Sequence, residues 1–131
     1  MKEMVTIHDE DARGYRYYTF RLVNSEDKFS VEALIRFRVE NEVKRFNAQR
    51  PICFFSLVQP EDVDITARGY RLKNHRYIDG QAQSDMAVNA FEKNSFIVHA
   101  NGRDYQALDD IIDINQDTEI SFIKFMEIVG G

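Results

Sequence analysis

One amphipathic helix, with segments of alternating hydrophobicity on either side of it, most constrains the fold of this chain. Five apolar residues recur at a period that places them on one face of a helix: Val31, Ile35, Val39, Val43 and Phe46. Ser30 directly before them predicts an N-cap, and Pro51 predicts the end of the helix because the residue before proline resists helical geometry. The charged residues of the segment, among them Arg38 and Glu42, are expected mostly off this apolar face.

The residues before the helix predict a β-hairpin. Apolar and polar residues alternate in Met4–His8 and in Tyr15–Val23, as they do in strands with one solvated face. The polar residues 9–14 between these segments end in a glycine and predict the connecting loop.

The residues after position 94 predict a second hairpin and a final strand. Asn101-Gly102 lies between Ser95–Ala100 and Arg103–Ala107. This dipeptide is a strong hairpin signal because both turn residues need positive φ. Glu119–Val129 has apolar residues on both of its faces, which predicts one long strand at the centre of a sheet.

Residues 50–94 are the least regular part of the sequence. Ile52–Val58 is apolar and aromatic, which fits either a strand or a buried connector. Asp79-Gly80 indicates a turn, and Ser84-Asp85 indicates the start of a short helix that stops at Asn94. The basic and aromatic residues of Arg68–Tyr77 favour a protein contact or a solvated loop over a contact with RNA.

Composition narrows the classes of protein that fit. A length of 131 residues with 44% hydrophobic residues predicts a single domain with a buried core. The net charge of −5 argues against binding to nucleic acid or an anionic membrane. With no long apolar run and no signal sequence in view, a cytoplasmic protein is expected.

Cysteine, histidine and the acidic residues give no sign of a metal or a nucleophile. The single cysteine, Cys53, has apolar neighbours and is expected to be buried. His8, His75 and His99 match no ligand spacing, and the acidic residues between 109 and 119 lack the calcium-loop pattern.

The order of hairpin, helix, hairpin, short turn, final strand and Gly-Gly resembles the β-grasp fold of ubiquitin-like proteins. The resemblance covers residues 4–49 and 95–131. It rests mainly on Phe96-Ile97-Val98-His99-Ala100-Asn101-Gly102-Arg103-Asp104-Tyr105, Leu108-Asp109-Asp110, Asp117-Thr118-Glu119-Ile120-Ser121-Phe122 and Ile128-Val129-Gly130-Gly131. The chain also looks like bacterial ubiquitin-like modifiers, which occur beside activating and conjugating enzymes.

The resemblance implies one α+β domain, residues 1–131, with a mixed β-grasp sheet packed on one main helix. Residues 50–94, here called the insertion, would lie between that helix and the third strand.

The resemblance implies a ubiquitin-like protein modifier and not an enzyme. An ATP-dependent activating enzyme would adenylate the carboxylate of Gly131, and a conjugating enzyme would transfer the chain to target amines. Glycine suits this role because it has no side chain to block a narrow channel. Gly130 and Gly131 are therefore the expected conjugation site. The other residues of the tail, defined as residues 126–131, are expected to bind partner enzymes: Met126, Glu127, Ile128 and Val129.

In this reading the chain itself has no catalytic residue, cofactor or metal, and ATP is used by the activating enzyme. Its partners would be activating and conjugating enzymes, a deconjugating protease and the target proteins, with no nucleic acid and no membrane. The tail lacks the arginines that precede the glycines of ubiquitin, so a dedicated activating enzyme is expected. Two alternatives stay open: a sulfur carrier that forms a C-terminal thiocarboxylate, and a non-covalent β-grasp adaptor whose glycines are incidental.

Overall fold

The computed structural model describes residues 3–24 and 26–130, which form a mixed α+β fold. The main sheet contains β1 (Glu3–Asp11), β2 (Arg16–Asn24), β7 (Phe96–Ala100), β8 (Arg103–Tyr105) and β10 (Glu119–Lys124). The helices are α1 (Val31–Gln49) and α2 (Gly80–Glu92). The remaining short strands are β3 (Lys28–Ser30), β4 (Val58–Gln59), β5 (Val63–Thr66), β6 (Gly69–Leu72), β9 (Ile111–Asp113) and β11 (Ile128–Val129).

The five strands of the main sheet lie in the order β2-β1-β10-β7-β8. β1 and β10 are parallel, with Ile7 opposite Ile120, and the other neighbours are antiparallel. The three short pairs outside this sheet are β3 with β9, β5 with β6, and β4 with β11. β10 therefore lies at the centre of the sheet, as its two apolar faces predicted.

α1 begins and packs as the sequence predicts. The hydroxyl of Ser30 accepts a hydrogen bond from the backbone N–H of Ala33 at 3.0 Å. The first N–H groups of the helix, at Val31 and Glu32, donate to carbonyls of residues 108–110 at 2.9 and 3.0 Å. The whole predicted apolar stripe is buried in the core. The turn after β8 therefore closes the N-terminus of α1.

Arg38 departs from the expectation that the charged residues lie off the buried face of α1. Its side chain is completely buried against the main sheet, where it meets Asp9 of β1. A buried guanidinium is tolerated because a carboxylate on the facing strand pairs with it. The apolar period of the helix carries no sign of that distant partner.

Several predicted boundaries are wrong by a few residues. β1 continues to Asp11, so the loop of the first hairpin is shorter than residues 9–14. α2 begins at Gly80 and not at Ser84, because Asp79 is its N-cap and accepts from the N–H of Ala82 at 3.1 Å. Asp79-Gly80 is therefore a helix start and not a separate turn. The Asn101-Gly102 turn is confirmed, with φ of 53° and 76°.

The long final strand predicted over Glu119–Val129 is also wrong as a single element. β10 ends at Lys124, and β11 begins at Ile128 beside a different strand. Phe125 and Met126, which the alternation assigned to the two faces of that strand, are exposed. The chain thus leaves the sheet before its last residues.

The segment between α1 and β7 folds into four elements, β4, β5, β6 and α2, and α2 packs against α1. Ile52–Val58 forms only an isolated bridge, at Phe54, before β4 starts, and Ile52 is exposed. Phe54 and Tyr70 exchange backbone hydrogen bonds of 3.0 and 2.7 Å. A Cβ at Gly69 would overlap the carbonyl of Phe54, so this close approach requires glycine. Within the described ranges, no helix is long and apolar enough to cross a bilayer.

Candidate functional site

The chain leaves the main sheet after β10 through three residues, Phe125–Glu127, here called the link. The link includes the predicted site residues Met126 and Glu127. The N–H of Phe125 donates to the carbonyl of Ser95 at 2.9 Å, which fixes the start of the link at the edge of β7. All three link residues are exposed. An open groove of about 420 Å³ runs beside the link and is also lined by Arg13, Tyr17 and Lys124.

The side chain of Glu127 ties the link to the rest of the chain by polar contacts. Its carboxylate accepts from the hydroxyl of Tyr70 at 3.3 Å and lies 3.8 Å from the amine of Lys124. Burial lowers the pKa of the Lys124 amine, although Asp9 and Glu127 act in the opposite direction. Burial together with the negative charges of Asp9 and Glu127 raises the pKa of Tyr17.

The last described residues of the tail are paired with the body of the protein. Ile128 and Val129 form β11, which runs parallel to Val58 and Gln59 of β4. The N–H of Gly130 donates to the carbonyl of Gln59 at 2.9 Å. Ile128 and Gly130 are buried, and Val129 is 43% exposed. Gly131 lies outside the described residues.

Two side chains of α2 enclose Gly130. The buried amide of Gln83 donates to the carbonyl of Gly130 at 3.3 Å. The thioether of Met86 covers the Cα of Gly130 so closely that a Cβ there would overlap it. β4, Gln83 and Met86 are together called the tail dock. The tail dock holds the residue before the predicted reacting glycine in a closed position.

The residues of the tail dock are not among the predicted site residues, although Met86 was expected on the apolar face of the short helix that starts at Ser84. Gln83 belongs to α2, but its position before the predicted start at Ser84 left it outside the expected helix. Recognising Asp79 as the N-cap would have placed Gln83 and Met86 in one helix, three residues apart. No local signal pairs Val58–Gln59 with a segment some 70 residues away.

A second cluster of unusual side chains surrounds Arg38. Its Nη1 and Nη2 donate to the two oxygens of Asp9, both at 2.6 Å. The rings of Phe20 and Phe122 lie 4.8 and 4.6 Å from the guanidinium carbon. The Nε of Arg38 has no acceptor among the described residues. The bidentate pair and the two aromatic rings compensate for the loss of water around the charge.

Glu42 completes this cluster on the side of α1. Its carboxylate lies 3.4 Å from Nη2 of Arg38 and also accepts from the N–H of Leu57 at 3.0 Å. Burial raises the pKa of Glu42, although Arg38 lowers it. For Arg38, burial acts to lower the pKa, but Asp9 and Glu42 outweigh it and raise it. The cluster joins α1, the sheet and the chain before β4, so we interpret it as structural.

The remaining candidate residues are separate from the tail. Cys53 is only partly buried, which corrects the expectation of a buried thiol. It lines a cavity of about 210 Å³ with Tyr18, Phe46 and Phe55. The cations Arg71 and Arg76 of the basic run pair with Asp64 and Asp62 at 3.1 and 2.7 Å, so this run is largely neutralised.

The histidines and acidic residues are scattered. His8 contacts Glu119 and His99 contacts Asp104, on different parts of the sheet. Asp110 caps the turn after β8 by accepting from the N–H groups of residues 106 and 107. Over residues 3–24 and 26–130, no three metal-ligating side chains lie close enough to hold a metal ion.

The chain matches no protein-family model, no curated protein and no solved structure.

Proposed function

We propose that this chain is a ubiquitin-like β-grasp modifier. In this proposal an ATP-dependent activating enzyme adenylates the carboxylate of Gly131, and the chain is then conjugated to amines of target proteins. The chain is a substrate and carrier of the reaction, and its partners supply the catalytic groups.

The observation that carries the proposal is the strand order of the main sheet. A β-grasp sheet of the ubiquitin type places its first and last strands side by side and parallel, with the first hairpin on one side and the second on the other. Here β1 and β10 occupy the two central parallel positions, β2 follows β1, and β7 and β8 follow β10. α1 and the insertion together connect the two hairpins. The sequence order and the spatial order therefore both support a β-grasp fold.

The surroundings of the link support the predicted role of Met126 and Glu127 in binding a partner. Phe125 and Met126 are 51% and 60% exposed, and both side chains lie beside the open groove. Such a surface is suited to contact with another protein. An activating enzyme that binds this groove would lie at the point where the tail leaves the sheet.

The test is to find the tail on target proteins in the native host. Trypsin cuts after Lys124, so a conjugated lysine would carry the branched remnant Phe-Met-Glu-Ile-Val-Gly-Gly. Peptide sequencing of the affinity-tagged wild-type chain is expected to find this remnant. A matched variant that lacks Gly130 and Gly131 is expected to give none.

Two other outcomes would replace the proposal. An intact mass with one sulfur in place of oxygen at the C-terminus, without the remnant, would indicate a sulfur carrier. No remnant, together with a phenotype that the deletion of Gly130 and Gly131 leaves unchanged, would indicate a non-covalent adaptor.

A further inference from the structure

The proposed chemistry requires the tail to extend away from the body of the protein at Gly130. In the structure the tail is instead packed against the body of the protein at this residue. To reach a narrow enzyme channel, Gly130 must be surrounded by solvent or by the enzyme on all sides. In the structure it is buried, its N–H donates to Gln59, and its carbonyl accepts from Gln83. All the residues that enclose it belong to the insertion.

We propose that the insertion is an autoinhibitory element, whose tail dock keeps the tail closed until a partner enzyme draws it out. This inference rests on the proposed function, because it concerns access to the same glycines. The competent form is then the undocked one, and the rate of activation is reduced by the fraction of molecules that are docked.

The tail dock is built for a strand that ends in a residue without a side chain. β4 supplies backbone groups that pair with Ile128 and Val129, and Ile128 is buried there. The thioether of Met86 occupies the position that the Cβ of any other residue at position 130 would need. Gln83 is 2% exposed, and its buried amide needs an acceptor. The carbonyl of Gly130 supplies it.

The chain also allows the tail to open without unfolding of the sheet. Phe125 stays fixed to Ser95, and the exposed link after it provides the point at which the direction of the chain can change. Among the described residues, β11 pairs only with β4, and over two positions. Segments with so few backbone contacts open at a lower free energy than central strands do.

Hydrogen exchange at the Gly130 amide, measured by NMR on the full chain, tests the tail dock directly. In the wild type this amide is expected to exchange slowly, because it donates to Gln59. Gln83→Ala removes one hydrogen bond and is expected to raise the exchange rate about 2- to 10-fold. Gln81→Ala is the matched control, since Gln81 is exposed on the same helix and its side-chain amide donates to Asp85 and not to the tail. It is expected to leave the rate unchanged.

The Phe122 amide in β10 reports whether the variants remain folded. Its exchange is expected to be the same in all three proteins. The tail dock is refuted if the wild-type Gly130 amide exchanges at the rate of an unstructured peptide. It is refuted equally if Gln83→Ala changes exchange at Gly130 no more than Gln81→Ala does.

Conjugation in the native host separates this inference from the proposed function. If Gln83→Ala raises both exchange at Gly130 and the initial rate of conjugate formation, the tail dock limits activation. Faster exchange with an unchanged conjugation rate would refute the autoinhibitory role.

Absence of the remnant from every variant would refute the proposed function, while hydrogen exchange at Gly130 would still decide whether the tail dock exists. Conjugation without any protection of Gly130 would refute the dock and leave the proposed function in place.

Discussion

β10 and β11 are only three residues apart, but neighbouring segments hold them very differently. β10 pairs with β1 over six positions and with β7 over five, so it has a partner on both sides. Within the part of the chain that the structure describes, β11 pairs with β4 alone and over two positions. Ile120 and Phe122 of β10 are completely buried, whereas Val129 of β11 is largely accessible on one side.

The difference shows how one apolar run can serve two purposes. The first part of the run stabilises the sheet because it is surrounded by other strands and by α1. The second part reaches beyond the sheet, and its order depends on the short β4 and on α2. We therefore expect changes in the sheet to affect the whole molecule and changes in the tail to affect the tail alone.

The largest effect is expected from Asp9→Ala, which removes the partner of the buried Arg38. Breaking a buried ion pair from one side leaves an uncompensated charge and costs about 3–5 kcal/mol of unfolding free energy. Urea unfolding measures this loss, and exchange should increase in β10 as well as in β11. Asp11→Ala is the control on the same strand, because Asp11 is only partly buried and its partner Arg13 is exposed. A loss for Asp9→Ala as small as that of the control would contradict a structural role for the cluster.

A smaller and local effect is expected from Ile128→Ala. The side chain of Ile128 is 5% exposed, and removing its methyl and methylene groups costs about 2 kcal/mol of burial. If the tail opens on its own, the Gly130 amide should exchange about 30-fold faster while the Phe122 amide is unaffected. Val129→Ala, on the more exposed position of β11, should have a weaker effect. An equal increase at Phe122 would show that β10 and β11 open together.

Acid is expected to weaken the sheet through Glu10 of β1. Burial acts to raise the pKa of this carboxyl, but hydrogen bonds from Ser121 and Arg16 outweigh it and hold the pKa below the ordinary value of 4.5. As the pH falls, Glu10 therefore takes up a proton in the unfolded chain before it does so in the folded chain. The stability that Glu10 contributes is complete above about pH 4.5 and is lost as the pH falls through the lower folded-state value.

Glu10→Gln isolates this contribution. The free energy of unfolding of the wild type should fall more steeply than that of the variant between about pH 5 and about pH 3. This pH range spans the ordinary pKa of a glutamate side chain. Parallel curves for the two proteins would mean that the folded and unfolded states bind the Glu10 proton equally.

The smallest effect is expected from Glu127→Gln in the link. Glu127 is exposed, so its contacts with Tyr70 and Lys124 are weakened by solvent and together contribute less than about 0.5 kcal/mol. Exchange at Gly130 should change by no more than about twofold. A change as large as that of Ile128→Ala would place control of the tail in the link and not in the tail dock.

The parts of the fold that were predictable are those whose signals are local. The N-cap and apolar stripe of α1 lie within one segment, and Asn101-Gly102 encodes its own turn through backbone conformation. The central position of β10 also followed from its two apolar faces. In each case the residues that determine the structure are close together in the sequence.

The parts that were missed depend on distant partners. Burial of Arg38 requires Asp9, 29 residues away, and the pattern of α1 contains no trace of it. The break after Lys124 follows from the presence of β4, which gives Ile128 and Val129 an alternative to the main sheet. Alternation in the sequence describes which residues avoid water, but not which surface covers them.

The sequence by itself therefore determined the main helix, its cap, the two hairpins and a central strand, because each has a local periodic or turn signal. Only the tertiary structure decided where the tail lies. Its last described residues are held by backbone pairing with β4 and by two side chains of α2, and such contacts depend on how the insertion packs against α1. A short strand with one partner strand is at best marginally stable by itself, so the residues that pack around it determine its position.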